Sequence, residues 1–148
     1  MEPSKFDPSE IAVSLFKRNF NCAQSVLAAF ASQLGMDESS MLKIASPFGG
    51  GVARRGQVCG AVSGGLMALG LAMGADTPSG KEDAYRLGQE FLRRFESVHG
   101  SILCRELLGY DISTDAGRKQ AGDKEVFKTF CPHFVGDAVE IVQEMMGK

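Results

Sequence analysis

Four cysteines, Cys22, Cys59, Cys104 and Cys131, are spread one to a segment along the 148 residues. Thiols are the side chains of this chain best suited to redox chemistry or metal ligation. The local pattern predicts helix starts at three of them. Cys59 stands at the entry to an uncharged run from Gly60 to Ala75, Cys104 follows a capping serine, Ser101, and Cys131 precedes Pro132, a residue favoured in a first helical turn. There the free N–H groups and the macrodipole favour a thiolate. An ordinary cysteine of pKa about 8.5 is only a few per cent ionised at neutral pH, whereas one lowered to about 7 is half ionised. That difference separates an inert thiol from a ligand or nucleophile. Cys22 reads differently, in mid-helix on a second apolar face.

The cysteines are far apart in sequence and form no C-x-x-C knuckle, so any shared site must be assembled by the fold. Four cysteines allow three disulfide pairings, and spacing does not choose among them. The segment Phe48 to Cys59 is the densest special sequence. Gly49, Gly50, Gly51, Arg54, Arg55 and Gly60 are its candidate binding residues, because glycines permit positive φ and close approach while arginines bring fixed charge. Such a loop before a helix predicts an anion cradle. It lacks the Lys and Ser or Thr of a phosphate loop, where Gln57 and Val58 stand instead, and no strand precedes it as a dinucleotide fingerprint requires. His99 falls at a helix end and reads as structural, while His133, close to Cys131, is a weaker candidate for the same pocket.

The elements that must position these residues read as all-α and as one domain, residues 1–148, with no internal repeat. The expected fold is a single-domain helical bundle of about five to six helices around a central glycine-rich apolar helix, the run after Cys59. Asp7-Pro8-Ser9-Glu10 predicts the start of a long first helix reaching about Gly35, with Phe16, Phe20, Ala23, Leu27, Phe30 and Leu34 as one apolar stripe. Leu15, Val26 and Ala29 form the second face, suited to packing or to a homodimer. Asp37 caps a short helix that Pro47 stops. Ser79-Gly80-Lys81-Glu82 reads as a capping box for a helix that buries Ala84, Leu87, Phe91, Phe95 and Val98 and ends at Gly100. A short helix around Cys104 closes at Gly109, Tyr110 to Lys124 reads as a polar, turn-rich connection, and a final helix follows Pro132.

Composition narrows the function classes. Charged residues make up 23% and hydrophobic ones 44%, an ordinary globular balance. Sixteen basic against 18 acidic residues leave a net charge of -2, without the basic excess of a nucleic-acid-binding domain. The start Met1-Glu2-Pro3-Ser4-Lys5 has no basic stretch followed by an apolar run, and the Gly60 to Ala75 run is shorter than the roughly 20 apolar residues of a membrane span. The expectation is a cytoplasmic protein without membrane insertion, whose reduced thiols serve metal binding or redox chemistry rather than structural bridging.

Cys59-Gly60-Ala61-Val62-Ser63-Gly64 matches a C-G-A-x-x-G motif in full, and Cys22 before it with Cys104 and Cys131 after it complete a four-cysteine order. In these residues, in Asn21-Cys22-Ala23-Gln24 and in the glycine-rich approach to Cys59, the chain resembles the C_GCAxxG_C_C family of small redox-active proteins over nearly its whole length. The resemblance implies an all-helical domain and a redox role for the four cysteines. It also points to split-Soret-type cytochromes, where an iron–sulfur site has been suggested, although the haem-attachment sequence is absent here.

Three readings follow. The first has Cys22, Cys59, Cys104 and Cys131 on one pocket, binding an iron–sulfur cluster or a single metal ion for electron transfer with an unidentified redox partner, or for redox sensing. The second is metal-free thiol/disulfide chemistry with Cys59 as the nucleophile. The third is a non-enzymatic anion-binding module built on the Gly49 to Gly56 loop.

Overall fold

The computed structural model describes residues 7–147, so the opening residues Met1 to Lys5 lie outside the described part. α1 (Pro8–Lys17) starts as the sequence predicts: the Asp7 carboxylate accepts from the Ser9 amide and Pro8 takes the first helical position. The expected long helix then breaks. Asn19 adopts φ 75°, and Asn21 opens α2 (Cys22–Ala28) with a full capping box, its Oδ1 accepting from Gln24 N at 2.9 Å while Gln24 Oε1 accepts from Asn21 N at 3.0 Å. Asparagine tolerates the left-handed region and competes for backbone hydrogen bonds, so two asparagines around Phe20 end one helix and start the next without disturbing the apolar spacing. α3 (Ala31–Leu34) completes the segment and Gly35 closes it at φ 66°.

α4 (Glu38–Ala45) is capped by Asp37 and followed by a 3-10 turn, Ser46–Phe48, containing Pro47. α5 (Gly60–Met73) carries the uncharged run. It is buried from Gly60 to Gly65 and again at Ala68 and Leu69, but Gly70, Leu71 and Met73 reach solvent. A Cβ on Gly64 would stand 2.7 Å from the carbonyl oxygen of Ala23, and one on Gly65 2.4 Å from Phe91 Cζ, so side chains there would hold α2 and α6 away.

α6 (Lys81–His99) begins differently from expectation. Gly80 is its N-cap without a side-chain bond, because Pro78–Gly80 forms a 3-10 turn in which the Ser79 hydroxyl pairs with Thr77. Phe91 and Phe95 are fully buried, each contributing about 1.5–3 kcal/mol by removal from water. Val98 is 62% exposed instead of buried, at the edge of an open depression between α6 and the last helix. α7 (Cys104–Leu108) closes at Gly109 as predicted. The stretch read as turn-rich contains α8 (Asp115–Asp123), whose N-cap Thr114 accepts from Gly117 N at 2.9 Å. α9 (Val126–Thr129) and α10 (Cys131–Met145) meet at Phe130.

The described residues are thus all-helical, in ten α-helical segments rather than five or six, several of them four or five residues long. α2 lies on α5, α1 on α10, and α10 also meets α5 and α6. The second face of the expected first helix is internal: Leu15, Val26 and Ala29 are buried in the core and offer no dimer surface. No helix among the described residues is long and apolar enough to cross a membrane.

Candidate redox site

All four cysteines stand at helix beginnings. Cys59 is the N-cap of α5, while Cys22, Cys104 and Cys131 are the first residues of α2, α7 and α10. The mid-helix placement expected for Cys22 fails because the Asn21–Gln24 capping box starts a new helix there. The four residues line one cavity of about 890 Å³. Cys59, Cys104 and Cys131 are buried and Cys22 is half-buried, and all four thiols are free.

Backbone geometry explains the convergence. A Cβ on Gly60 would lie 3.0 Å from Ala23 N and 3.1 Å from Cys22 Cβ, so Gly60 and Gly64, one turn apart, let the start of α2 rest on the start of α5. These two glycines are the fixed glycines of the C-G-A-x-x-G pattern. They bring Cys22 beside Cys59. A short antiparallel bridge, Val58 to Leu103, does the same for Cys104: Cys59 N donates to Ile102 O at 2.7 Å and Cys104 N to Gln57 O at 2.6 Å.

The loop between these elements takes an unusual form. Gly50, Gly51, Val52, Ala53 and Arg54 all have positive φ, between 51° and 73°. The left-handed region costs a non-glycine residue roughly 1–2 kcal/mol, and a β-branched valine is a marked outlier there. The turn is held by its own backbone, with Ala53 N donating to Pro47 O, Arg54 N to Gly49 O, Gly56 N to Gly50 O and Gln57 N to Gly51 O. Val52 N and Arg55 N are likewise bonded within the segment. The amides from Val52 to Gln57 are thus committed within the turn and are not free to cradle an anion. Of the candidate binding residues, Gly50, Arg54 and Gly60 line the cysteine cavity, and Gly49, Gly51 and Arg55 do not. Gly51 acts from behind: a Cβ there would come within 2.8 Å of Cys104 Cβ.

The thiols are not equivalent. The neighbouring thiols of Cys22 and Cys131 influence each other: the Cys22 thiol lowers the Cys131 pKa, and the interaction with Cys131 together with burial raises Cys22 well above its ordinary value. Burial pushes Cys59 up to about 11, although the amides of Ala61 and Val62 face its sulfur and favour the thiolate. Burial and the neighbouring cysteines push Cys104 up to about 12. The expectation that Cys59 carries the acidic thiol gives way, since desolvation outweighs two amide dipoles. Cys131 is the acidic member.

Among the described residues, no three His, Cys, Asp or Glu side chains are gathered closely enough to hold one metal ion. The cavity has neither a carboxylate nor an imidazole in its lining. His133 lies elsewhere, against a shallow depression between α1 and α10. His99 packs on Phe95 and Phe134, ring centroids 4.7 and 4.9 Å away, and its Nε2 meets Asp137 Oδ2 at 2.9 Å, tying α6 to α10.

Residues 20–145 match the family model described as "Putative redox-active protein (C_GCAxxG_C_C)". The chain belongs to this family. The match spans all four cysteines and the capping box that places the first of them. No curated protein and no solved structure matched the chain. Sequence reading missed the role of Asn21, which starts α2 and also bonds Ser46 O at 2.9 Å through Nδ2, although Asn-x-x-Gln before an apolar run is a legible capping signal. It also missed Lys17, Arg118 and Lys128 of the cavity lining, for which no local signal exists.

Proposed function

We propose that the four cysteines act as one redox centre that binds an iron–sulfur cluster, for electron transfer or redox sensing. The observation that carries this reading is the lining of one cavity by four free thiols, with no histidine, aspartate or glutamate beside them among the described residues. Four cysteine thiolates are the usual ligand set of [2Fe–2S] and [4Fe–4S] clusters.

Cys22, Cys59, Cys104 and Cys131 would hold the cluster, which supplies one-electron transfer when bound. The chain's own part is to present the thiols and release their protons. Cys59, at about 11, and Cys104, at about 12, are protonated at neutral pH, so ligation displaces protons and strengthens as pH rises. Free thiols also fit a reducing cytoplasm. Purification without oxygen, with assay of iron, sulfide, zinc and the visible spectrum, tests the proposal. Stoichiometric iron and sulfide are expected. Sub-stoichiometric metal in repeated anaerobic preparations would remove the cluster.

A second reading is favoured by the pairing of Cys22 and Cys131 in the cavity, where the Cys22 thiol lowers the Cys131 pKa. Here the Cys131 thiolate attacks a disulfide substrate and one half leaves as a thiol; Cys22, losing its proton, then attacks the mixed disulfide. The second thiol departs and a Cys22–Cys131 disulfide remains, to be reduced by a cellular dithiol. Treatment of the metal-free chain with a small disulfide would yield that bond first. A first bond elsewhere would exclude this reading.

A further inference from the structure

The cavity is larger than four thiols need, and its charged lining is of one sign. Its volume of about 890 Å³ lies within the range of roughly 300–1,000 Å³ for small-molecule sites. Besides the cysteines it is walled by apolar groups, among them Phe16, Phe20, Ile112 and Phe127. Its charged residues are Lys17, Arg54, Arg118 and Lys128, and no carboxylate joins them, in a chain whose acidic residues outnumber its basic ones. The four cations come from the end of α1, the left-handed turn, α8 and α9.

Three of the four are available. Arg118 is engaged by Asp115 and by Ile112 O. Lys17, Arg54 and Lys128 are exposed at the rim and make no ion pair among the described residues. Arg54 sits at the end of five consecutive left-handed residues, a turn held by its own backbone bonds, and lines the cavity.

We propose that the cavity binds a small organic anion with an apolar body, its carboxylate, sulfonate or phosphate group held by Lys17, Arg54 and Lys128 and its body lying among the phenylalanines above the cysteines. The inference goes beyond the redox centre, because binding uses none of the four sulfurs. It names the class of molecule brought to them. A concave, apolar-walled site of this size suits a small molecule, and the one-sided charge selects its sign.

Two fluorescent probes of nearly the same shape test it on the full chain. Anilinonaphthalene sulfonate is anionic, and N-phenylnaphthylamine lacks the sulfonate. The anionic probe is expected to bind saturably at one site, more weakly as salt rises, and about tenfold or more tighter than the neutral probe. The triple variant Lys17→Gln, Arg54→Gln, Lys128→Gln should lose about tenfold or more of the anionic affinity and leave the neutral probe unchanged. Arg55→Gln, beside the cavity but not lining it, should change neither. Unaltered circular dichroism and thermal midpoint establish that the triple variant is folded, as expected for three exposed side chains. Equal binding of the two probes, or retained anionic affinity in the triple variant, would overturn the proposal. Neither outcome bears on whether the cysteines hold iron.

Discussion

At the scale of single residues, the four thiols share a cavity and differ in proton affinity. The neighbouring Cys22 thiol lowers Cys131, while Cys59 and Cys104 are raised by burial. In metal-free, reduced protein near neutral pH, iodoacetamide should therefore modify Cys131 first, as peptide mass mapping would show. Prior labelling of Cys59 would mean that its amide dipoles outweigh its desolvation after all. The raised thiols also set a pH dependence. Between pH 9 and about 11 the unfolded chain has lost protons that Cys59 retains when folded, so the folded state binds more protons and stability falls as pH rises. The slope approaches about 1.4 kcal/mol per pH unit for one fully differing group. Urea denaturation under reducing conditions at pH 8.5 and pH 10 should show a smaller loss for Cys59→Ala than for the parent. Equal losses would show that its thiol ionises alike in the folded and unfolded chain.

At the scale of elements, glycines decide where the cysteines stand. Gly60 and Gly64 bring the first turn of α2 onto α5, and the obstacle to a side chain at Gly64 is the backbone oxygen of Ala23, which has no rotamer by which to move aside. Gly64→Ala should cost about 1–3 kcal/mol, the usual range for overpacking. It should also separate Cys22 from Cys59 and slow disulfide formation between Cys22 and Cys131. Thermal unfolding and a timed thiol assay would read the two effects, and a variant as stable as the parent would show that α2 is free to shift. Much of this level was legible in the sequence. Asp7, Asp37, Gly35, Gly100 and Gly109 bound helices because capping and left-handed closure act locally. The break at Asn19 to Asn21 was hidden by an apolar spacing that continues across it, and α8 by a polar composition that still supports a capped helix.

At the scale of the whole molecule, the cavity joins the ends of segments far apart in the chain. Cys22 and Cys131 are separated by about 110 residues. A bond between them would close a loop long enough to stabilise the fold by about 2–4 kcal/mol, a typical gain, unless it strains the helix starts. The oxidised chain should accordingly unfold at higher urea concentration than the reduced one, with the difference abolished in Cys22→Ser. A lower midpoint on oxidation would indicate that the two helix starts are not positioned for a bond.

The sequence by itself determined the helical class, the capped and glycine-closed helix ends and the family's four-cysteine pattern. Those depend on period, capping and residue type, which are local properties. Only the tertiary structure decided that the four thiols share a cavity, which cations line it and that the amides from Val52 to Gln57 are bonded within the glycine-rich turn. Each of these depends on desolvation, on contacts between distant segments or on a cooperative left-handed turn. The four cysteines were visible as a set. Their inequality arises only when four separate helix starts surround one cavity.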